Sequence, residues 1–558
     1  MNVAKLAPAI TAGAEEAVGR LLSDPAFQAA AARIDTLLVL RGSGWSRVRR
    51  YTDWSQPEQV QQLLLGHVGK QPEGFIDIEV LHHRRPVSRK DFPLRLGQLW
   101  RGARAMELVH HFQSELVPPS RSLRHNRSFS DSLAAFLKLR GLTEETFWRD
   151  GEVASFEVAT WRLVWSTSQV SLQRRFRGDR VVQPAEITPE LLQVMAAQMA
   201  GWLIRNTRTD GSIPYKYWPS RNEEPKHDNA LRRMMATVWL NRWARRTGDD
   251  AARAAADRNL RRNMQAYFVE RDGKGYIVDR GRAKLGAMAF AATVLRESPL
   301  RGELGEPLRK LDLGIDSLWR EDGSFLCYAW PAPGMANNDN FYPGEALLYW
   351  GLRHRETGEA ILVERALKSL AWYRDWHLQN RKPAFVPWHS QAALLFFEAT
   401  GTSWLRHWVF AMNDWLIALQ QTKVSTPDVH GRFYDPQRPE FGVPHASSTA
   451  VYLEGLADAF KLAHASGDAG RAASYARSIW MGVRNLRQLQ FRDWDSMAYY
   501  GNHDMLAGAV RTEVYNNEIR VDNVQHSLGA LMKLLEQPAF LATAPQAPAT
   551  PLPLPEIT

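Results

Sequence analysis

From about residue 187 to 535 the chain keeps one rhythm: an apolar stripe at helical spacing, a small turn, then a second helical stripe. ATVWLNRWARRTGD closes on Thr247-Gly248, EALLYWGLRHRETGE on Thr357-Gly358, QAALLFFEATGT on Thr400-Gly401 and LEGLADAFKLAHASGD on Ser466-Gly467. A glycine just past the last helical turn takes the left-handed cap that lets the chain reverse. The unit is therefore a repeated helix–turn–helix. Its uneven spacing argues against an open solenoid and for a closed ring with loops of variable length on one face. The expected domain is an all-helical toroid over residues 185–536.

Upstream the pattern differs. Residues 1–70 are Ala/Leu-rich, as in AEEAVGRLLSDPAFQAAAARIDTLLVL, and are expected to be helical. Residues 71–180 look mixed. FIDIEVLHH and VASFEVATWRLVW alternate like strands, predicting strands near 75–82 and 153–165. Between them SDSLAAFLKLRGLTEETFWRD predicts a helix ending near Gly141, a loop and a short helix. A smaller α/β or α+β domain fits. Residues 537–558, rich in Pro and Ala, are expected to be a disordered tail.

Composition narrows the function. Net charge is +10, from 70 Lys+Arg against 60 Asp+Glu, and the excess is spread rather than clustered. No long basic tract or nucleic-acid motif is present, so no nucleic-acid partner is expected. An acidic glycan, an assembly partner or simple solubility would suit the charge. The one cysteine, Cys327, rules out an internal disulfide and any multi-cysteine metal site, and no metal or cofactor is expected. The start of the chain lacks the apolar segment of a secretory signal, and no apolar run reaches the ~20 residues of a membrane span, so a cytoplasmic location is expected. The 21 Trp, 15 Tyr and 22 Phe are the anomaly. Most should be core, but indole also stacks on the C–H faces of sugars.

The loops between helices hold the candidate chemistry. Asp210-Gly211-Ser212 leads into IPYKYWPSRNEEPKHDN, Asp322-Gly323-Ser324 into FLCYAWPAPGMANNDNFYPGE, and His430-Gly431-Arg432 into FYDPQRPEFGVPHASS. Loops this long in a compact domain usually carry function. The expectation is that 210–228, 322–344 and 430–448 converge on one cleft lined by Trp218, Trp330, Tyr342 and Trp388, with Tyr217 beside them. Asp339, among Asn337, Asn338 and Asn340, and Asp228 both stand at loop-to-helix boundaries. Either could be a helix cap or one of the carboxyl pair that glycoside chemistry needs. Glu454 is a third carboxyl on an inward helix. Near the end, Arg520, Asp522, Gln525 and His526 fall within seven residues. They fit a grip on a carboxylated or acetamido sugar or a salt-bridge network that closes the ring.

Two resemblances follow from these segments. DNFYPGEALLYWGLRHRETGEAILVERA resembles the six-hairpin glycosidase superfamily, particularly unsaturated glucuronyl hydrolases: an Asp before an inward helix, a leucine-rich stretch, Tyr-Trp and a Thr-Gly turn. It implies a mainly α fold, an (α/α)6-type toroid, with Asp339 as a catalytic carboxylate. A helix N-terminus favours the ionised form of Asp339, so the acid role is expected to fall to Asp228 first and Glu454 second. N-acylglucosamine 2-epimerases share the ring and work with His pairs; His389 and His445 are the candidates for that role. SLAAFLKLRGLTEETFWRDGEVASFEVATW resembles the C-terminal half of an AMMECR1-type domain. The Leu-Arg-Gly-Cys-Ile-Gly motif of that family is absent, so the region reads as a scaffold or a docking surface for a protein partner. Triterpene-cyclase toroids are excluded by the lack of a DxDD motif, and lanthionine-cyclase toroids by the lack of a second cysteine.

The sequence thus points to a glycan-active protein, a glycoside hydrolase first, with a sugar 2-epimerase or a non-catalytic glycan-binding or exopolysaccharide-assembly protein as alternatives. Two carboxylates about 5 to 9.5 Å apart in the ring mouth would mark hydrolysis. One carboxylate with a histidine pair would mark epimerisation.

Overall fold

The computed structural model describes residues 8–32, 36–42, 45–50, 57–66, 68, 73–166, 169–226, 228–331, 335–545 and 551–555. The N-terminal part is built on seven antiparallel strands: β1 (Leu37–Gly42), β2 (Trp45–Arg50), β3 (Gly74–Pro86), β4 (Arg104–His110), β5 (Gln113–Val117), β6 (Gly151–Trp165) and β7 (Val170–Arg175). They run in the order β2-β1-β3-β6-β4-β5, with β7 beside the far half of β6. Seven helices accompany them: α1 (Pro8–Ser23), α2 (Pro25–Ala31), α3 (Pro57–Leu65), α4 (Phe92–Leu96), α5 (Pro119–Arg124), α6 (Phe129–Arg140) and α7 (Glu144–Asp150). The sheet is wholly antiparallel, the α+β form of the two readings.

Strands β3 and β6 cover the two stretches whose alternation predicts strands, and α6 ends at Gly141 in the left-handed conformation. The helical reading of residues 1–70 needs correction: 37–42 and 45–50 form a β-hairpin against β3. The short run Leu-Leu-Val-Leu is apolar throughout, and periodicity cannot separate such a run from a helix. Residues 1–7 and several between 33 and 72 lie outside the described residues.

Alternation in β3 sorts its side chains onto two faces. Ile76, Ile78 and Val80 pack with Ala17, Val18 and Leu21 of α1 and with Trp161. Asp77 and Glu79, on the other face, would suit solvent by pattern, yet both are buried. Asp77 takes two hydrogen bonds from Arg162 and one from Tyr499, a residue of the helical domain. Glu79 accepts from Ser120 N–H and Oγ–H, and burial pushes its carboxyl up to about 7.

The second domain is a closed ring. Six inner helices, α9 (Ala230–Thr247), α11 (Leu285–Glu297), α13 (Tyr342–Thr357), α15 (Val386–Thr400), α17 (Ala446–Ala465) and α20 (Val521–Leu535), each pack on the next, and α20 packs back on α9. Six outer helices back them: α8 (Pro189–Asn206), α10 (Asp250–Tyr267), α12 (Gly305–Asp316), α14 (Ala360–Gln379), α16 (Ser403–Ile417) and α18 (Ala469–Leu489). Five hairpins pair an inner helix with the outer one after it, while α8, first in the chain, backs α20, the last inner helix. This is the (α/α)6 toroid. Short elements fill the rim: β8 (Lys216–Tyr217), β9 (Phe268–Arg271), β10 (Lys274–Asp279), β11 (Arg282–Ala283), β12 (Arg511–Glu513), β13 (Asn516–Arg520), α19 (Trp494–Met497) and α21 (Pro538–Leu541).

Inner helices are buried almost all round, and small residues let them touch. Every residue of α11 from Leu285 to Leu295 is buried. A Cβ on Gly529 would sit 2.4 Å from the Trp239 ring, so α20 meets α9 at van der Waals contact only through glycine. The Asp-Gly-Ser loops have a scaffold role. Asp210 accepts from Ser212 N–H and Oγ–H, and Asp322 does the same with Ser324. In each, the glycine at positive φ lies against the backbone of the neighbouring outer helix: Gly211 under Arg258 and Gly323 under Lys368.

The stretch expected to be a disordered tail is docked where it is described. Phe540 of α21 is fully buried and stacks on Trp480 with ring centroids 4.7 Å apart. Leu552 N–H donates to Gln183. One aromatic with a matching apolar surface outweighs the Pro/Ala composition around it. Residues 546–550 and 556–558 lie outside the described residues.

Candidate active site at the mouth of the toroid

The six inner helices start at one end of the ring, so the mouth there collects six helix N-termini with their partial positive charge. A cavity of ≈310 Å³ opens at this end. Arg232 near the start of α9, Phe341 and Glu345 at α13, Trp388 at α15, His445, Ser447, Ser448 and Tyr452 at α17, and His526 at α20 line it. The 430–448 loop supplies Phe433, Tyr434, Asp435 and Phe441. A side recess of ≈120 Å³ shares Arg232, Phe341 and Glu345 with the cavity and adds Asn229, Lys284, Asn338 and Tyr342.

Glu345 is the sharpest group. It lies one helical turn after Tyr342, on the inward face of α13, and is buried. Its Oε2 has no hydrogen-bond partner and packs against the backbone of Gly286 on α11, where a Cβ would fall 1.7 Å from it. Burial pushes its carboxyl up to about 8, although Arg232 and Lys284 pull the other way. At neutral pH it therefore holds a proton.

Histidines flank it. His526 Nδ1 meets Glu454 Oε1 at 2.8 Å, both buried. A carboxylate only accepts, so Nδ1 carries a proton towards Glu454 and Nε2 is the ring nitrogen left for other partners. His445 is the N-cap of α17, and its Nδ1 accepts from Ser448 N–H at 3.1 Å, which leaves its ring proton on Nε2. Burial, aided by Arg520, pushes His445 down to about 4, so it is neutral at physiological pH. Asp522 is fully buried; burial opposes its ionisation, but Arg232 and Arg520 outweigh that and hold it well below the usual carboxylate range. Arg520 grips Asp522 with two hydrogen bonds, and Arg232 Nε reaches the same carboxylate at 3.2 Å. This cluster joins the last inner helix to the first.

The remaining predicted residues fall into two groups. Tyr342, Trp388, Asn338, His445 and His526 line the mouth or its recess. Gln525, beside His526 on α20, is fully buried with neither amide atom paired. Others are elsewhere. Tyr217 belongs to β8, paired with β13, and its hydroxyl donates to Asn222; Trp218 donates to Glu518. Trp330 packs on Tyr276 with centroids 4.7 Å apart. The four aromatics thus do not share one cleft: two line the mouth and two serve the rim. Asp339 accepts from Asn337 at 2.7 Å and Asp228 pairs with Arg233 at 2.7 Å; neither lines the mouth. Asn340 sits beside Asp339 with its buried Oδ1 unpaired. His389 is fully buried, stacked on Phe385 with centroids 3.5 Å apart, and burial pushes it down to about 3.

Sequence reasoning passed over Glu345, Arg232 and Lys284. The signal for Glu345 was present: a carboxyl at the third position after Tyr342, on a helix otherwise apolar inward.

No family model matches the chain, and no curated protein matches it. Solved structures do resemble it. An unsaturated glucuronyl hydrolase specific for heparin aligns over 62% of this chain and 97% of its own, with 11% identity and a TM-score of 0.46. A D-mannose isomerase aligns over 62% and 97%, with 13% identity and a TM-score of 0.47. An alpha-1,6-mannanase from Salegentibacter sp. aligns over 61% and 98%, with 11% identity and a TM-score of 0.46.

Proposed function

We propose that the toroid mouth binds a sugar and moves a proton on it, as an isomerase or epimerase does. The observation that supports this most is the make-up of the lining: one buried carboxyl that keeps its proton, Glu345, with two histidines, His445 and His526. In this reading His526, oriented by Glu454, withdraws the proton from the carbon next to the carbonyl of an open-chain sugar. The negative charge moves onto the carbonyl oxygen, where a proton from Glu345 or the Nε2–H of His445 neutralises it. His526 then returns its proton to the neighbouring carbon while the hydroxyl on the first carbon gives its proton back to Glu345 or His445, or returns it to the other face of the same carbon while the enol hydroxyl gives its proton back. No atoms are gained or lost, and the acid is restored. Trp388 and Tyr452 supply apolar faces for the sugar, and Arg232 and Lys284 favour an oxygen-rich or acidic one.

Hydrolysis of a glycan is the second reading. A carboxyl protonated at neutral pH is also what a glycosidic leaving group needs, and Asp435 in the same lining would be the second carboxyl. Asp339, Asp228 and Glu454 are then replaced by Glu345 and Asp435 as the acid–base pair. The N-terminal sheet domain, in either reading, serves as scaffold and as a surface for a protein partner.

The two readings separate in heavy water. Isomerase or epimerase activity puts solvent deuterium on the carbon beside the carbonyl of free aldoses and ketoses, seen by NMR, and His526→Ala abolishes it. Release of new reducing ends from acidic or neutral oligosaccharides, with no deuterium uptake by any free sugar, would overturn the first reading for the second.

A further inference from the structure

A second cluster lies far from the mouth, on the N-terminal sheet. Strand β3 is bulged there. His82 stands opposite Glu157 of β6 and Arg85 opposite Ser155, so His83 and Arg84 together face a single residue. His83 sits at φ 52, in the left-handed region that side chains rarely adopt. Successive strand residues normally point to opposite faces. The bulge cancels that alternation, and both imidazoles reach Glu157 on one side of the sheet. Backbone strain of this kind persists only where the surroundings fix it, and it gathers at functional sites.

We propose that His82, His83 and Glu157 form a zinc site. The three ligand atoms lie within 4.8 Å of one another. His82 Nδ1 and His83 Nδ1 are 3.3 Å apart, and His83 Nδ1 and Glu157 Oε2 are 3.2 Å apart. Zinc bonds of about 2.0–2.1 Å in tetrahedral geometry require ligand-to-ligand edges of roughly 3.3 Å, which both distances match. The donor set, two imidazoles and one carboxylate, suits zinc and leaves a fourth position for water or an incoming ligand. Arg85 lies 3.8 Å from Glu157 Oε1, the oxygen that faces away from His83. His82 is buried, while His83 and Glu157 are partly open, giving an ion a way in. A bound ion would staple the bulge of β3 to β6.

The experiment uses the full chain, stripped with a chelator and titrated with Zn²⁺ against a chromophoric competitor. One equivalent is expected to bind, and Co²⁺ in its place is expected to give the strong visible absorption of a four-coordinate site. His83→Asn tolerates the left-handed backbone and removes the imidazole, and Glu157→Gln keeps the shape and removes the charge. Each is expected to weaken Zn²⁺ at least ~10-fold and to abolish the rise in melting temperature that Zn²⁺ gives the parent protein. His111→Asn, at a similar backbone angle in the β4–β5 turn, is expected to bind as the parent does. The proposal is overturned if the parent takes up no Zn²⁺, or if His83→Asn and Glu157→Gln, folded by circular dichroism, bind it as tightly as the parent.

Discussion

The toroid mouth and the seam between the two domains both bury many charged groups, but they treat them in opposite ways. At the seam each charge meets its opposite. Arg162 is shared by Asp77 and Asp495, Arg177 binds Asp428, and Asp179 sits between Arg492 and Arg511. At the mouth Glu345 Oε2 is left unpaired. Burying an unpaired polar group costs about 1–3 kcal/mol, and a fold keeps such a group only where something else needs it. The difference lies in the partner: each of these seam groups has an opposite charge to hold it, even where a single atom such as Asp428 Oδ1 has no hydrogen bond, whereas the Glu345 carboxyl faces a cavity without an ion pair among the described residues.

The widest contrast is expected from His526→Ala. It should lower turnover about 10²–10⁴-fold, the usual worth of a positioned acid–base group. It also strands the buried Glu454, so urea denaturation should show a loss of stability beside the loss of turnover, and parental turnover in the variant would break the assignment. Asp77→Ala should lower stability alone. It leaves the fully buried Arg162 with Asp495 alone and should cost on the order of a few kcal/mol of stability by denaturation.

Glu345 sharpens the comparison through pH. Its carboxyl is held at about 8 in the folded protein against 4.5 for an exposed glutamate. Between those values the folded state keeps a proton that the unfolded state has lost. Its contribution to stability is therefore complete below pH 4.5 and declines as pH rises through 8, by an amount on the order of a few kcal/mol. In Glu345→Gln that decline should vanish; melting curves from pH 4 to 9 that stay parallel to the parent protein would break the assignment. Gly286→Ala should cost about 1–3 kcal/mol, because its methyl would press on the Glu345 carboxyl. The smallest effect is expected from Glu186→Gln beside the seam. Glu186 and its partner Arg180 are each 33% exposed, so at most about 1 kcal/mol should be lost by denaturation.

The ring was legible because helix–turn–helix units repeat and each ends on a small turn with glycine. Strands β3 and β6 were legible because alternation survives even when both faces are covered. That covering was not legible: nothing in FIDIEV says that Asp77 and Glu79 face another domain rather than water. The site was harder for the same reason. Asp339 stands out in a row of asparagines, whereas Glu345 looks like one more helical glutamate until the ring closes around it. Proximity in the mouth arises from helices far apart in sequence, and composition carries no trace of it.

Closure of the ring by its first and last members sets an order of events in time. Helix α8 begins at Pro189 and its partner α20 at Val521, so the joining contact spans more than half the polypeptide. A chain emerging from the ribosome must hold five inner helices in an unfinished arc, with apolar flanks at both α8–α9 and α17, until the sixth arrives. Contacts this distant form slowly because the loop they close is long. Until they form, the open arc presents sticky edges to its neighbours. Completion of the mouth and burial of those edges thus fall on the same final step.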